Sequence, residues 1–474
     1  MSTADTNNVD GSSANRANLD NFDAEALTAE AQSLLEQFCR QPSIAAQHQG
    51  IAEMAALIED ALRATGFTTQ RFAAPAGVDA PDIVYGELRG SGPYTMLLYN
   101  HYDVQPPEPF ELWLSPPFEP TVRDGKLFAR GSSDNKGEIA ARLTAIRALR
   151  AAHGTLPITI RWIIEGEEEI GSPHFEQLIA PHADLLKADG CFWEGSGFGR
   201  EDNPTLGLGS KGLLYVQLDL QGMAGDAHSG NATILPSAAW RLVQALATLR
   251  APDGRITIPG FYDTVREPTE AQLAVVASHP DDDDLLKETF GVERFNDGLA
   301  GFELRKRYSF APTCNIAGLL SGYTGEGTKT VLPAKAMAKI DFRLVPDQEP
   351  DDILAKLKAH LAAQGYGDIA VTTFSNAEPV VTPIEDPFAQ RVIELAEAYA
   401  ATNGTKPEIT LIGGGTLPLL GALRRQVGLP GLSAPGNPTY WANGAHAPNE
   451  HIRLRDLRNA VLLNCHQFMH LEGA

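Results

Sequence analysis

Apolar and polar residues alternate with two different periods along the first half of the chain. Residues 23–40 carry apolar side chains at helical spacing, as does the segment of about 51–65 that ends at Gly66, and both predict helices. Short apolar runs typical of strands buried on both faces follow, with a predicted helix over 137–152 among them; the runs are 94–99, 158–164 and 188–193. Strands that alternate with helices predict an α/β fold whose central, mostly parallel sheet is flanked by helices.

The pattern changes near Gly209, where strands show the alternation of half-exposed strands. This part predicts a small α+β sandwich, with strands over 213–220, 334–344 and 369–374 and helices over 236–249 and 351–365. The polar, proline-containing segment 251–312 is predicted to be an irregular excursion. After Pro383, a helix over 387–402 and the runs 408–412 and 429–433 indicate that the first domain resumes.

The predicted organisation is therefore a discontinuous domain with a second domain inserted. The first comprises 23–208 and 382–474, the inserted domain 209–381, and residues 1–22 are predicted to be a disordered polar tail. A length of 474 residues is too great for one ordinary core, which agrees with this division.

Charge and cysteine usage narrow the functional class. The formal net charge of −22 argues against a nucleic-acid partner, since phosphates require clustered Lys and Arg. The run 281–284 of four aspartates is a solvated loop or the start of a helix. Four scattered cysteines give no disulfide framework and fit a reduced, cytoplasmic setting. Since no apolar run reaches the length of a membrane span, we expect no membrane partner.

Residues that can bind metal follow the predicted strands. His101 and Asp103 come directly after the strand 94–99, and the side chain of Asp103 is well placed to accept a hydrogen bond from His101 and to orient it. In open α/β sheets, ligands bind beyond the carboxyl ends of the strands. The alternative for these two residues is a solvated loop.

Further carboxylates occur in the same context. Asp134 precedes the helix 137–152 and is either its N-cap or a carboxylate that bridges two cations. Glu167, Glu168 and Glu169 follow the strand 158–164, where adjacent carboxylates raise one another's pKa unless cations compensate. One of them could bind metal while its neighbour acts as general base, and the alternative is an exposed acidic turn.

Two more candidates complete the pattern. Glu194 follows the strand 188–193, and His446 lies in a Gly-Ala-His loop. Together these residues predict a pair of divalent cations, Zn²⁺ first, with Mn²⁺ or Co²⁺ as alternatives, that activates water in a hydrolase. Gly413–Thr416 does not form a phosphate loop but could let backbone amides approach a substrate carboxylate.

Six motifs connect the chain with a known family. They are HYDVQP (101–106), GSSDNKG (131–137), EGEEEIGS (165–172), DAHSG (226–230), RLVP (343–346) and GAHAPNE (444–450). From about residue 25 onward the chain resembles the M20 family of co-catalytic metallopeptidases, most closely its carnosinase-like dipeptidase branch. The resemblance implies a catalytic domain, an inserted lid domain that forms a homodimer, and a cis peptide after Asp134.

The resemblance also implies a role for each matching residue. His101 and Glu194 would bind one metal, Glu169 and His446 the other, and Asp134 would bridge them. Asp103 would orient a ligand and Glu168 would be the general base. The lid residues that it matches to substrate binding are His228, which would reach the site across the dimer interface, Thr330 and Arg343, together with the carboxylate-binding pair Gly415 and Thr416.

The predicted function is hydrolysis of the peptide bond in dipeptides or short peptides, by a bridging hydroxide and a glutamate base. Glu194 leaves an alternative open, because carnosinase-like dipeptidases usually carry Asp at this position. Glu is more similar to the carboxypeptidase and aminoacylase branches, so the alternative is a carboxypeptidase or a hydrolase of N-acyl or N-carbamoyl amino acids. A third alternative is an inactive binding protein that retains the fold.

Overall fold

The structure is a computed structural model that describes residues 22–471. The predicted disordered tail, residues 1–22, lies outside the described residues apart from Phe22. Within the described range there are twelve α-helices: α1 (Ala24–Arg40), α2 (Ile51–Thr65), α3 (Lys136–His153), α4 (Phe175–Ile179), α5 (Ala238–Ala247), α6 (Glu270–Ser278), α7 (Asp283–Phe290), α8 (Gly301–Phe310), α9 (Pro350–Ala363), α10 (Pro387–Thr402), α11 (Pro418–Val427) and α12 (Leu454–His470).

The same range contains nineteen short or long strands: β1 (Thr68–Phe72), β2 (Ile83–Leu88), β3 (Thr95–His101), β4 (Thr121–Arg123), β5 (Lys126–Phe128), β6 (Thr159–Glu165), β7 (Gly190–Trp193), β8 (Thr205–Gly207), β9 (Gly209–Ser210), β10 (Gly212–Gln221), β11 (Ala227–His228), β12 (Asn315–Ser321), β13 (Val331–Leu332), β14 (Lys335–Leu344), β15 (Ala370–Ala377), β16 (Val380–Val381), β17 (Glu408–Thr410), β18 (Gly431–Ser433) and β19 (His451–Arg453).

The chain forms two compact units. The first contains the described residues up to Leu206, Glu385–Glu408 and the residues from Gln426 onward. The second contains Gly207–Ile384 and Ile409–Arg425. The sequence placed 409–425 in the first domain. In the structure this segment belongs to the second unit, where the Thr416 hydroxyl donates to the Lys211 carbonyl at 2.6 Å.

The first unit contains the first six strands of an eight-stranded sheet with the order β1-β2-β6-β3-β7-β18-β8-β17. β3 runs parallel to β6 and β7, β18 runs parallel to β7, and β1 and β2 form an antiparallel edge. The predicted α/β class with a mostly parallel sheet is confirmed. The edge strand β1 escaped prediction because its sequence, TTQRF, is polar and half exposed.

Helices α1, α3 and α12 pack against one another in the first unit. α3 is buried along almost its whole length, since even its first residue, Lys136, is 0% exposed. The Lys136 ammonium donates to the carbonyls of Phe38 and Gln41 at 3.1 and 2.8 Å, which fixes the start of α3 against the end of α1. The segment just before α3 is therefore held firmly.

The second unit is a four-stranded antiparallel sheet with the order β12-β14-β10-β15. β10 and β14 alternate buried and half-buried residues, and their buried side chains pack with those of α5 and α9 in one core. The predicted α+β character is thus confirmed, because the alternation of period two marks a sheet with one covered face.

The segment 251–312 was predicted to be irregular, and this prediction is wrong. The segment contains helices α6, α7 and α8. These helices are short and expose most of their side chains, and α6 and α8 carry no strong apolar stripe that would mark them. Thr269 and Gln272 form a capping box at the start of α6. The aspartate run begins α7, and the buried Asp283 carboxylate accepts from Gly301 N at 2.6 Å.

Candidate metal centre

Three neighbouring parallel strands deliver the candidate residues to one edge of the sheet. β3 ends at His101, β7 ends just before Glu194, and β6 ends at Glu165, three residues before a 3-10 helix over Glu168–Ile170. Because β6, β3 and β7 are adjacent and parallel, their carboxyl ends meet at the same edge. The strand-end pattern in the sequence therefore pointed to a common location.

The His101 ring lies among three carboxylates and a backbone carbonyl. Its Nε2 is 3.0 Å from Asp134 Oδ1 and 3.1 Å from Glu194 Oε2. Its Nδ1 is 3.0 Å from the Asp103 carbonyl oxygen and 3.3 Å from Asp103 Oδ1. The imidazole is 0% exposed. One ring nitrogen thus faces the candidate ligands while the other is held by Asp103.

His446 occupies the corresponding place on the other side of Asp134. Its Nε2 is 3.0 Å from Asp134 Oδ2 and 3.1 Å from Glu169 Oε2. Asp134 therefore presents a separate oxygen to each imidazole, and each imidazole has one further carboxylate of its own. The peptide that joins Asp134 to Asn135 is cis, as the family resemblance implies.

Glu168 lies inside this cluster. Ligand atoms of His101, Glu168 and Glu194 are all within 4.8 Å of one another, as are those of His101, Asp134 and Glu169. Glu167, by contrast, accepts a hydrogen bond from His174 Nδ1 at 2.9 Å. The acidic run 167–169 is thus divided between the cluster and a separate contact.

The pKa values reflect crowding of charges in a buried space. Burial and the neighbouring Glu194 raise the pKa of Glu168 to about 9. Burial also raises the pKa of Glu194. Hydrogen bonds to Asp134 and Glu169 raise the pKa of His446 to about 10, because protonation partly compensates the carboxylates. The cluster therefore has an excess of negative charge.

This donor set suits divalent cations. His101 Nε2 faces two carboxylate oxygens, yet a ring nitrogen can donate only one hydrogen bond. The buried Glu194 Oε2 has no hydrogen-bond donor in suitable geometry among the described residues. Imidazole nitrogens and carboxylate oxygens converging in pairs are ligands that zinc accepts. The residues present fit a pair of divalent cations.

Asp103 and Gln105 form hydrogen bonds that hold Glu169, a role that the sequence did not predict for either residue. Asp103 accepts from the backbone N–H groups of Glu168 and Glu169 at 3.2 and 3.0 Å. Gln105 donates to the Glu169 carboxylate from its side chain at 2.9 Å and from its backbone at 3.2 Å. Gln105 lies within the motif HYDVQP, so its proximity in sequence to His101 was an available signal.

Glu450 is a further residue that the sequence did not reveal. Its buried carboxylate accepts from Arg130 Nη1 at 2.7 Å and from three backbone N–H groups of the segment before α3: Gly131 (3.0 Å), Ser133 (2.8 Å) and Asp134 (3.0 Å). Glu450 closes the motif GAHAPNE, which also carries His446. Its carboxylate thus joins the loop of one candidate ligand to the loop of another.

The other predicted substrate residues lie in the second unit, in two pairs. Thr330 Oγ1 is 3.4 Å from His228 Nε2, next to the short ladder of β11 and β13. Arg343 Nη1 donates to Thr416 Oγ1 at 2.8 Å, and Gly415 precedes Thr416. Arg343 and Thr416 are therefore in contact within one unit.

Known proteins place the chain in a family. The sequence model of peptidase family M20/M25/M40 matches residues 97–466. The chain belongs to this family, and the protein is a metallopeptidase of the M20 type. No helix within residues 22–471 is long and apolar enough to cross a membrane.

Its curated relatives confirm the dipeptidase branch. The Cys-Gly metallodipeptidase of Schizosaccharomyces pombe is 30% identical over 406 residues, covering 82% of each chain. The Beta-Ala-His dipeptidase of Mus musculus is 29% identical over 391 residues, covering 78% of each.

Solved structures agree in fold. An M20 family metallo-carboxypeptidase from Sulfolobus solfataricus has a TM-score of 0.86 at 34% identity, covering 93% of this chain and 99% of its own. Human carnosine dipeptidase 1 has a TM-score of 0.75 at 26% identity, covering 94% of this chain and 97% of its own.

Proposed function

We propose that the protein hydrolyses the peptide bond of unblocked dipeptides and short peptides at a site for two divalent cations, with zinc the first choice and manganese or cobalt as alternatives. The observation that carries this proposal is the arrangement around Asp134. Its two carboxylate oxygens face His101 and His446, each of which lies beside one further carboxylate, Glu194 or Glu169. His101 and Glu194 would hold one cation, Glu169 and His446 the other, and Asp134 both.

When bound, such a pair of cations lowers the pKa of water and polarises a carbonyl group. Glu168 takes a proton from the attacking water and delivers it to the leaving amine nitrogen. Its position inside the cluster, among the ligand atoms of His101 and Glu194, supports this role. Asp103 keeps the ring of His101 in one orientation and leaves its Nε2 free to bind.

The substrate carboxylate is assigned to Arg343, Thr416 and the backbone at Gly415. A guanidinium presents a planar fork of donors that matches a carboxylate. Among the described residues, the Arg343 side chain donates one hydrogen bond, from Nη1 to the Thr416 hydroxyl. Its other N–H groups are therefore available to a ligand. His228 and Thr330 are assigned to stabilising the substrate in the site of a second subunit.

The homodimer that this assignment needs is proposed to form through the second unit. Its edge strand β12 exposes a row of apolar side chains: Ile316, Leu319 and Leu320 are 50%, 53% and 55% exposed. An uncovered apolar edge strand is suited to pairing with another chain. A cytoplasmic location also stays a prediction, supported by the four free cysteines.

A matched pair of substrates tests the proposed function. Free amino acid release is measured from an unblocked dipeptide and from its N-acetylated form, with zinc or manganese supplied and with chelator as control. We expect release from the unblocked form that chelator abolishes. Preference for the blocked form would contradict the proposal. It would favour the carboxypeptidase or acylamino-acid alternative that Glu194 leaves open.

A further inference from the structure

The second unit contains a cavity of about 1080 Å³. Most of the residues that line it have no role in the proposed function. Its walls come from the loop around Arg250–Ile256, from α8, from the start of β12 and from β14, where Arg343 is a lining residue. The volume slightly exceeds the usual range of small-molecule pockets. The cavity is therefore large enough to hold part of a peptide next to Arg343.

The lining is basic although the chain carries a net charge of −22. Five cationic side chains and three acidic ones line the cavity: Lys211, Arg250, Arg255, Arg307 and Arg343 against Asp253, Asp297 and Asp341. The acidic groups already have partners. Asp297 pairs with Arg307, Asp341 accepts from Asn315 Nδ2 at 2.8 Å, and Asp253 accepts from the backbone N–H of Arg255 at 3.0 Å.

Three of the arginines lack such partners. Arg250, Arg255 and Arg343 form no salt bridge with any carboxylate in the described part of the chain. Elsewhere in the same unit, arginines do pair: Arg241 lies 2.5 Å from Asp368 and Arg266 lies 2.7 Å from Asp347. The three guanidinium groups of the cavity are therefore available to a carboxylate that the chain does not supply.

Each of the three side chains contacts a neighbouring group. Arg250 Nε donates to the Gly254 carbonyl at 3.1 Å, and the Arg255 guanidinium lies 5.9 Å from the centre of the Tyr262 ring. Arg343 is fixed on Thr416, which in turn donates to Lys211 O. A ligand whose α-carboxylate binds Arg343 and whose side chain is anionic would thus meet a second set of guanidinium groups in the same cavity.

We propose that this cavity binds the side-chain carboxylate of an acidic residue at the C-terminus of the peptide substrate. The inference rests on the proposed function for the location of the substrate's α-carboxylate at Arg343. It adds a substrate class, peptides that end in Asp or Glu, and assigns Arg250 and Arg255 to its recognition.

The test compares Ala-Glu with Ala-Gln, which differ in charge but hardly in shape. The wild-type protein is expected to show a kcat/KM for Ala-Glu that exceeds that for Ala-Gln roughly 10–100-fold, the effect of a charge-assisted hydrogen bond. Arg255→Gln and Arg250→Gln should each reduce this ratio by lowering kcat/KM for Ala-Glu, while kcat/KM for Ala-Gln stays the same. Lys358→Gln, an exposed cation on α9 outside the cavity, is the charge-matched control and should leave the ratio unchanged.

Direct binding separates a failure of this inference from a failure of the proposed function. Calorimetric titration with free glutamate and free glutamine needs no turnover, and we expect glutamate to bind more tightly in a manner that Arg255→Gln removes. Binding of this kind without hydrolysis of any dipeptide would support the cavity and overturn the dipeptidase assignment. Hydrolysis with equal kcat/KM for both dipeptides would support the dipeptidase assignment and overturn the proposed role of the cavity. Inhibition of Ala-Gln hydrolysis by glutamate that is not competitive would show a separate effector site and overturn the substrate assignment.

Discussion

Glu450 accepts a hydrogen bond from the backbone N–H of Asp134 at 3.0 Å, although 316 residues separate them in the chain. The same carboxylate accepts from Arg130, Gly131 and Ser133. Since His446 lies four residues before Glu450, this contact sets the spacing between two proposed metal ligands that lie on different loops.

The first prediction concerns this link. Glu450→Gln keeps the shape of the side chain, but only one of its two terminal atoms can still accept hydrogen bonds. The loop before α3 therefore loses some of the hydrogen bonds that hold it. Because groups that orient metal ligands contribute to affinity, we expect metal affinity to fall about 10–100-fold. Competition with a chromogenic chelator measures it, and a thermal melt of the metal-free variant checks the fold. Unchanged affinity in a folded variant would show that Glu450 does not position Asp134.

The second prediction concerns the proposed base. Glu168→Gln should lower kcat by about 10²–10⁴-fold, the usual contribution of general acid–base catalysis, while metal content stays close to wild type. Glu167→Gln is the matched control next to it, because Glu167 contacts His174 instead of the cluster, and it should retain most activity. Equal loss in both variants would point to a general effect of the acidic segment.

The third prediction concerns pH and stability. Burial, together with repulsion from His470, lowers the pKa of His466 on α12 to about 4 from its ordinary value of 6.5. Between these pH values the unfolded chain binds a proton that the folded protein excludes. The stability present above pH 6.5 is therefore lost as the pH falls toward 4, by at most about 3 kcal/mol for this group.

His466→Gln removes this group while His470 remains. Urea unfolding at pH 7 and pH 4.5 should show a smaller loss of unfolding free energy in the variant than in the wild type. An equal loss in both proteins would mean that His466 does not contribute to acid sensitivity.

The fourth prediction concerns the dimer. A mixture of His228→Ala and Glu168→Ala subunits should recover roughly a quarter of wild-type activity after exchange, because half of the dimers are mixed and each contains one complete site. Each variant alone, and a chain that carries both substitutions, should stay inactive. Absence of recovery, with mixed dimers demonstrated by mass, would rule out a site shared between subunits.

Much of the first unit could be predicted because its buried strands are apolar runs that end in polar residues. His101 and Glu194 were found in this way, since a strand end in a parallel sheet has a known direction. Helices α6 and α8 and strand β1 could not be predicted in this way, because these short, exposed elements leave no periodic apolar pattern. The role of Glu450 depends on a contact across 316 residues, which no local pattern contains.

Metal add-back tests the central claim most directly. The protein is stripped with chelator, zinc is added in steps, and hydrolysis of an unblocked dipeptide is followed against bound metal per chain. A two-cation site around Asp134 predicts no activity in the stripped protein and a return that levels off at two equivalents. Full activity in the stripped protein, or saturation at a single equivalent with no second ion bound, would contradict it.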